Sequence, residues 1–472
     1  MKRKNHKLAF RGGAYSLALT AMLLAVLILV NVLAAVLPPS VTRFDISAAK
    51  LYSVTSNTKN VVTNLAQDVT IYWIAQPDKE DEILRNLLDR YESLSDHIRV
   101  VKRNPDVYPA FAENYTDQPV QNNSLVVESG ERSRYIANSD IYLTQPGMNG
   151  YSASFDGEGA ITSAIDYCVN AQQPVLYQLE GHGEMALPEM FLDQLTKANM
   201  ELETLSLLTS PEIPEDCAAL LIHGPATDIS PEEGKILADY VNQGGKLLVM
   251  AGPTPEGSLP NLYDLLKPWG ITTGEGVIVE QDRAQYAFRT PYVLLPRIED
   301  TTINQPLLSE HYYPIVPIAQ PLVTEPDNSR VEVLLTTSPA SFLKPEGYQM
   351  QDYERPENAQ EGPFPVGVSV TGEQEGQIIW YSSALMLDPL YNAYSSGANV
   401  DLIMNSLTDM IGESESLAIR SKSLNYNYLT ISESTAAMLK VLLIGVFPLT
   451  YLGVGIAVVV SRRKERRHHE AA

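Results

Sequence analysis

Cysteine is almost absent from this sequence: Cys168 and Cys217 are the only two in 472 residues. Two cannot make a disulfide framework, and without a C-x-x-C pair redox chemistry of the thioredoxin type is excluded. They leave room for one disulfide, but each lies in an apolar context that suits a buried thiol. Basic residues are scarce as well, 34 Lys and Arg against 57 Asp and Glu, a formal charge of −23. Nucleic acid is therefore not an expected partner, because a phosphate backbone needs a basic footprint. The acidity reads as solubility rather than as a specific cation site. No G-x-x-x-x-G-K stretch occurs, so any ATPase working with this chain must be a separate protein.

Long uncharged runs are present, and they stand at the two ends. Residues 15–37 form a segment of about 23 residues without charge, and at roughly 1.5 Å per residue this spans a hydrocarbon core of about 30 Å. A second run, within 438–460, contains Pro448 and three glycines, Gly445, Gly453 and Gly455, which membrane helices tolerate. Lys2, Arg3, Lys4, Lys7 and Arg11 precede the first run, and Arg462, Arg463, Lys464, Arg466 and Arg467 follow the second. Both termini are thus expected in the cytoplasm, with membrane lipid around two helices and about 400 residues between them on the outer face. Without the tails' ten basic and two acidic residues the counts fall to 24 and 55, so the intervening part carries −31. Val32-Leu33-Ala34 fits a signal-peptidase site, but the apolar stretch exceeds the roughly 7 to 15 residues of a signal core, which favours retention as an anchor.

The outer segment divides by pattern. Residues 38–170 read as a small α/β domain: "DVTIYWIA" is a strand, and Ile83, Leu84, Leu87, Leu88, Tyr91 and Leu94 make one apolar stripe on a helix. "HIRVVKRNP" is a second strand and "NSLVVESGERSRYI" a hairpin about Ser129-Gly130, an order that resembles a thioredoxin-like layout. Residues 171–415 alternate more clearly. "PVLYQLEG", "CAALLIHGP" and "KLLVMAGP" are strands, separated by the helices "PEMFLDQLTKANM" and one capped by Ser230, Pro231 and Glu233. Continuous apolar strands between helices predict a parallel, doubly wound, flavodoxin-like sheet. Residues 260–388, rich in proline, read as inserted loops and hairpins. "GQIIWYSSALML" then returns as a strand and "NVDLIMNSLTDMIG" closes the domain as a helix. Residues 1–14 and 461–472 are the basic tails, and 416–437 a linker to the last helix.

The stretch most suggestive of chemistry is Gly181-His182-Gly183-Glu184, with His223-Gly224 after the next strand. Doubly wound sheets gather ligands at the carboxyl ends of their strands, where both segments fall. A histidine and a carboxylate two residues apart can share a metal or relay a proton. A metal site usually needs three or four protein ligands, and no His-rich or Cys-rich spacing elsewhere supplies the others. An acyl-transfer nucleophile belongs on an elbow after a central strand, yet Met250-Ala251-Gly252-Pro253 offers none. Gly181, His182, Gly183, Glu184 and His223 are therefore candidates for a ligand-contacting or structural loop, the glycines serving a tight turn and the side chains bonding to it. No catalytic, cofactor or metal residues are assigned.

Five stretches together resemble the GldG family, auxiliary components of ABC-type transport systems first associated with gliding motility. They are "RFDISAAKLYSVTSNTKNVVTNLAQDVTIYWI", "LDRYESLSDHIRVVKRNP", "NSLVVESG", "LYQLEGHGE" and "LAIRSKSLNYNYLTIS", in order over nearly the whole chain. The resemblance implies a middle domain similar to class I glutamine amidotransferases and without catalysis. It also implies a non-enzymatic accessory subunit working beside an ABC permease and an ATPase, with a cell-envelope or protein partner on the outer face. Two other functions fit the residues: a membrane-tethered solute or glycan binder, and a metal-assisted hydrolase using His182 and Glu184.

Overall fold

The computed structural model describes residues 53–412, apart from 148–149, 171–172 and 326–327, together with 419, 422–424, 438 and 440–470. It also describes 21–26, 28, 29 and 32. Those last residues are helical and exposed, Met22, Leu23 and Leu29 among them; the rest of the expected first membrane helix, the N-terminal tail and most of the expected linker lie outside the described residues. The chain splits into two compact units. One comprises Met1–Ser53, Thr144–Phe155 and Lys422–Ala472; the other comprises Val54–Leu143 and Asp156–Ser421.

Within the first unit, Lys422–Ser423 pairs antiparallel with Gly150–Phe155. Its C-terminal part is helical from a π-turn at Val441–Val446 through Phe447–Glu470. Val441–Val460 has mean hydropathy 2.3 and buries nothing against its own chain. Among the described residues it is the one helix long and apolar enough to cross a membrane.

The second unit holds both main sheets. Its smaller sheet is built from β1 (Val69–Ile74), β2 (Ile98–Arg103), β3 (Ser124–Ser129) and β4 (Arg132–Ile136), in the order β2-β1-β3-β4. β1 and β2 are parallel; β3 is antiparallel to β1 and to β4. Helix α1 (Glu82–Leu94) makes the parallel crossover, capped at its start by Asp81, whose side chain accepts the Leu84 N–H at 2.8 Å. Of its predicted stripe, Leu84, Leu87, Leu88 and Tyr91 are fully buried, while Ile83 and Leu94 are half-buried. α2 (Gly157–Val169) follows β4, and Asn199 ties it to the larger sheet by donating to the Ser163 carbonyl and to the Asp166 carboxylate.

The larger sheet has eight strands. Five run parallel in the order β6 (Glu201–Leu205), β5 (Val175–Leu179), β7 (Cys217–His223), β8 (Lys246–Met250) and β12 (Gln377–Tyr381). Three antiparallel strands complete it: β11 (Pro365–Thr371) beside β12, then β10 (Val331–Thr336), then β9 (Arg297–Ile298). Both faces are covered, which explains the unbroken apolar runs. Along β8, Leu248 and Met250 face a core shared with α3 (Glu189–Lys197) and α5 (Ala398–Ile411), while Leu247 and Val249 face a core shared with α4 (Pro231–Asn242). The parallel half follows the alternation expected from sequence. β6 and the antiparallel half do not: Glu201–Leu205 is too polar to stand out as a strand, and β9 to β11 lie within the proline-rich stretch. Both cysteines are free thiols, and burial pushes the Cys168 thiol up to about 11.

Candidate functional site

From β5 the chain goes to β6 on one side, and the next strand, β7, is added on the other. That reversal makes the carboxyl ends of β5 and β7 the place where an open α/β sheet has a ligand crevice. The loop after β5 carries Gly181, His182, Gly183 and Glu184, and β7 ends at His223, so the structure brings the five candidates to one edge.

Local bonds fix them there. Gly181 and Gly183 take φ of 124° and 71°, conformations side chains rarely adopt, and they turn the loop back on itself. The His182 carbonyl then accepts the N–H groups of Ala226 at 2.9 Å and Thr227 at 3.0 Å. Its own N–H donates to Glu184 Oε2 at 2.8 Å, while Nδ1 lies 3.1 Å from Glu184 Oε1. Its Nε2 lies 3.2 Å from Glu233 Oε2. The side chains of His182, Glu184 and Glu233 are 5%, 4% and 5% exposed. Both ring nitrogens thus face carboxylate oxygens, and the ring is held between the two acids.

Glu233 is a residue that sequence reasoning placed only as a helix cap. It does cap α4: its Oε2 accepts the Ser230 N–H at 2.9 Å, and Ser230 Oγ accepts the Glu233 N–H at 3.2 Å. The same oxygen faces His182. Burial alone would raise the Glu233 pKa, but the Ser230 hydrogen bonds and the His182 charge outweigh it and hold the group below its usual value. The S-P-E-E spelling revealed the cap; nothing in it reveals a histidine 51 residues away.

The second strand end is closed by Met185. Its N–H donates to the His223 carbonyl at 2.9 Å, and His223 Nδ1 donates to its carbonyl at 3.0 Å. Gly224 has φ of 55°, and a Cβ there would stand 2.7 Å from Met185 Sδ. The thioether thus occupies the space beside the turn, and the crevice is filled by its own loop. His223 Nε2 is buried and has no hydrogen-bond partner among the described residues; burial lowers the pKa of the ring, opposed by the Met185 and Ala384 backbone. The ring is the neutral Nδ1–H tautomer, because Nδ1 is the nitrogen facing a carbonyl.

At the end of β8, beside a cleft of about 580 Å³ lined by Pro253, Thr254, Tyr263 and Gln320, Gly252 has no room for a side chain. A Cβ on Gly252 would lie 2.5 Å from the Ser382 carbonyl oxygen. Among the described residues no group of three or more His, Cys, Asp or Glu is placed to hold a metal ion. What remains at the edge is a buried Glu-His-Glu clasp that serves the loop and α4, with one oxygen, Glu233 Oε1, buried and without a hydrogen-bond partner among the described residues.

Residues 173–406 match the family described as an ABC-type uncharacterized transport system, its auxiliary component, which covers every strand of the large sheet. Residues 48–143 match a domain of unknown function, DUF7088, which covers the small sheet. No curated protein matches the chain. Among solved structures, the mmIFT52 N-terminal domain is 15% identical with TM-score 0.38, over 51% of this chain and 98% of that one. A putative GMP synthase component from Thermoplasma acidophilum is 10% identical with TM-score 0.30, over 52% and 96%. At these scores neither bears on function.

Proposed function

We propose that this chain, which through residues 173–406 belongs to the auxiliary-component family of ABC-type transport systems, is a non-catalytic, membrane-anchored component that works with a separate permease and ATPase. The family match is the observation that carries the reading. It is supported by the apolar helix Val441–Val460, exposed throughout and so suited to lipid and to a permease. The basic flanks favour two spans with both termini in the cytoplasm and the folded unit outside. The β2-β1-β3-β4 order favours a thioredoxin-like outer domain, and the five parallel strands favour an amidotransferase-like second domain. A general base needs a free lone pair within reach of substrate; both His182 nitrogens face carboxylates and the free Nε2 of His223 is buried, which supports a non-catalytic edge.

Affinity purification of the full-length protein in mild detergent tests this. An ABC permease and its ATPase should co-purify, and both should be lost when Val441–Val460 is replaced by an unrelated membrane helix. Recovery of the protein alone in several detergents contradicts the accessory role. A tethered solute binder is the second reading, favoured by two clefts at strand carboxyl ends, one of about 610 Å³ after β1 and β2 and one of about 580 Å³ after β8.

A further inference from the structure

Parallel strands β1 and β2 end at Ile74 and Arg103, and two connections, 75–81 and 104–123, surround their carboxyl ends. These loops are tied to one another. Gln76 donates from its side chain to Asp106 at 2.9 Å, its backbone N–H donates to Asn122 Oδ1 at 2.7 Å, and the side chains of Asn122 and Asn123 both donate to the Lys79 carbonyl at 3.0 Å. Between them lies a cleft of about 610 Å³, a volume typical of small-molecule sites.

Arg103 enters this cleft half-buried. Its Cζ is 5.4 Å from the ring centre of Tyr72, 5.6 Å from that of Tyr108 and 5.5 Å from that of Phe111. Tyr72 and Phe111 in turn pack edge-on at 4.9 Å. Three rings thus surround the guanidinium without taking up its N–H donors. Among the described residues Arg103 makes no side-chain hydrogen bond and no ion pair, although the chain has 57 acidic residues to offer one. A planar, oriented cation with unused donors, beside apolar ring surface, fits a carboxylate attached to an apolar body.

We propose that this cleft binds a small organic carboxylate, with the Arg103 fork holding the carboxylate and Tyr108 and Phe111 packing on the apolar part. Glu113 and Asp117 line the same cleft and are exposed at its rim. Their charges oppose a dianion more than a monoanion, which favours carboxylate over phosphate. The inference goes beyond the accessory role and does not rest on it, since it concerns purified protein without its partners.

Calorimetric titration of full-length protein in lipid nanodiscs with benzoate, acetate and phenyl phosphate tests it. Benzoate should bind, acetate more weakly for want of the ring contact, and phenyl phosphate more weakly than benzoate. Arg103→Gln should weaken benzoate at least about tenfold, as expected for loss of a charge-assisted pair, and Arg103→Lys should weaken it too because it cannot present the fork. Tyr108→Ala, at a residue already 54% exposed, tests the site without threatening the fold and should weaken benzoate several-fold. No benzoate binding to the wild type, or equal binding to wild type and Arg103→Gln, overturns the site. Phenyl phosphate binding tighter than benzoate overturns the carboxylate assignment.

Discussion

The ends of β5 and β7 in the large sheet and of β1 and β2 in the small one differ at the edge where α/β folds collect ligands. At the large sheet, the crevice between β5 and β7 is occupied by the chain itself: Met185 stands against Gly224, and His182 joins Glu184 to Glu233. At the small sheet, the loops after β1 and β2 are tied to each other and leave a cleft containing an arginine with no ion pair among the described residues. Residue chemistry alone would rank them the other way, because a histidine next to a glutamate looks more reactive than an arginine among tyrosines. Reactivity depends on what each group has left over after folding. His182 has nothing left; Arg103 has its whole donor edge.

The comparison is broken most forcefully by cutting the clasp. His182→Ala leaves Glu184 and Glu233 buried without their shared partner, and we expect a loss of about 3 kcal/mol or more in chemical unfolding of the full-length protein. A neutral result would mean the three groups are not a structural unit. Next in size is Gly224→Ala. A side chain in the left-handed region is unfavourable by about 1–2 kcal/mol, and the new Cβ must also displace Met185, so a total of about 2–3 kcal/mol is expected. A change below measurement error would show that Met185 does not fill the turn.

Acidity sharpens the comparison with a smaller effect. His223 and Glu233 both have folded pKa values below their ordinary 6.5 and 4.5, so over each window the unfolded chain binds more protons than the folded one. Stability from each is present above the ordinary value and lost as pH falls through the lowered one. The wild type should begin to lose stability below pH 6.5, a loss that His223→Gln removes, and again below 4.5, a loss that Glu233→Gln reduces. A His223→Gln curve parallel to wild type across the upper window would count against a neutral buried imidazole. The smallest expected change in stability is at the open cleft: Arg103→Gln should stay within about 1 kcal/mol of wild type in unfolding, even as it removes carboxylate binding.

Much of the fold could be read from the residues because its signals are local. The stripe on α1, the Ser230 and Pro231 start of α4 and the apolar run Leu247 to Met250 each identify an element within a dozen residues. β9, β10 and β11 gave no such signal, since antiparallel strands among prolines owe their place to partners far along the chain. The site divides in the same way. Gly181 to Glu184 and His223 announce themselves by type and by position after apolar strands. Glu233, Met185 and Arg103 do not, because their roles come from contacts that only the packed sheets create.

Hydrogen–deuterium exchange of the full-length protein tests the closed crevice most directly. Four amides report on it: His182 bonded to Glu184, Met185 bonded to the His223 carbonyl, and Ala226 and Thr227 bonded to the His182 carbonyl. We predict that all four exchange as slowly as the core of β7 and are unchanged by added divalent metal. Fast exchange at these positions, or protection that appears only with metal, would contradict a structural clasp and return His182 and Glu184 to the status of a working site.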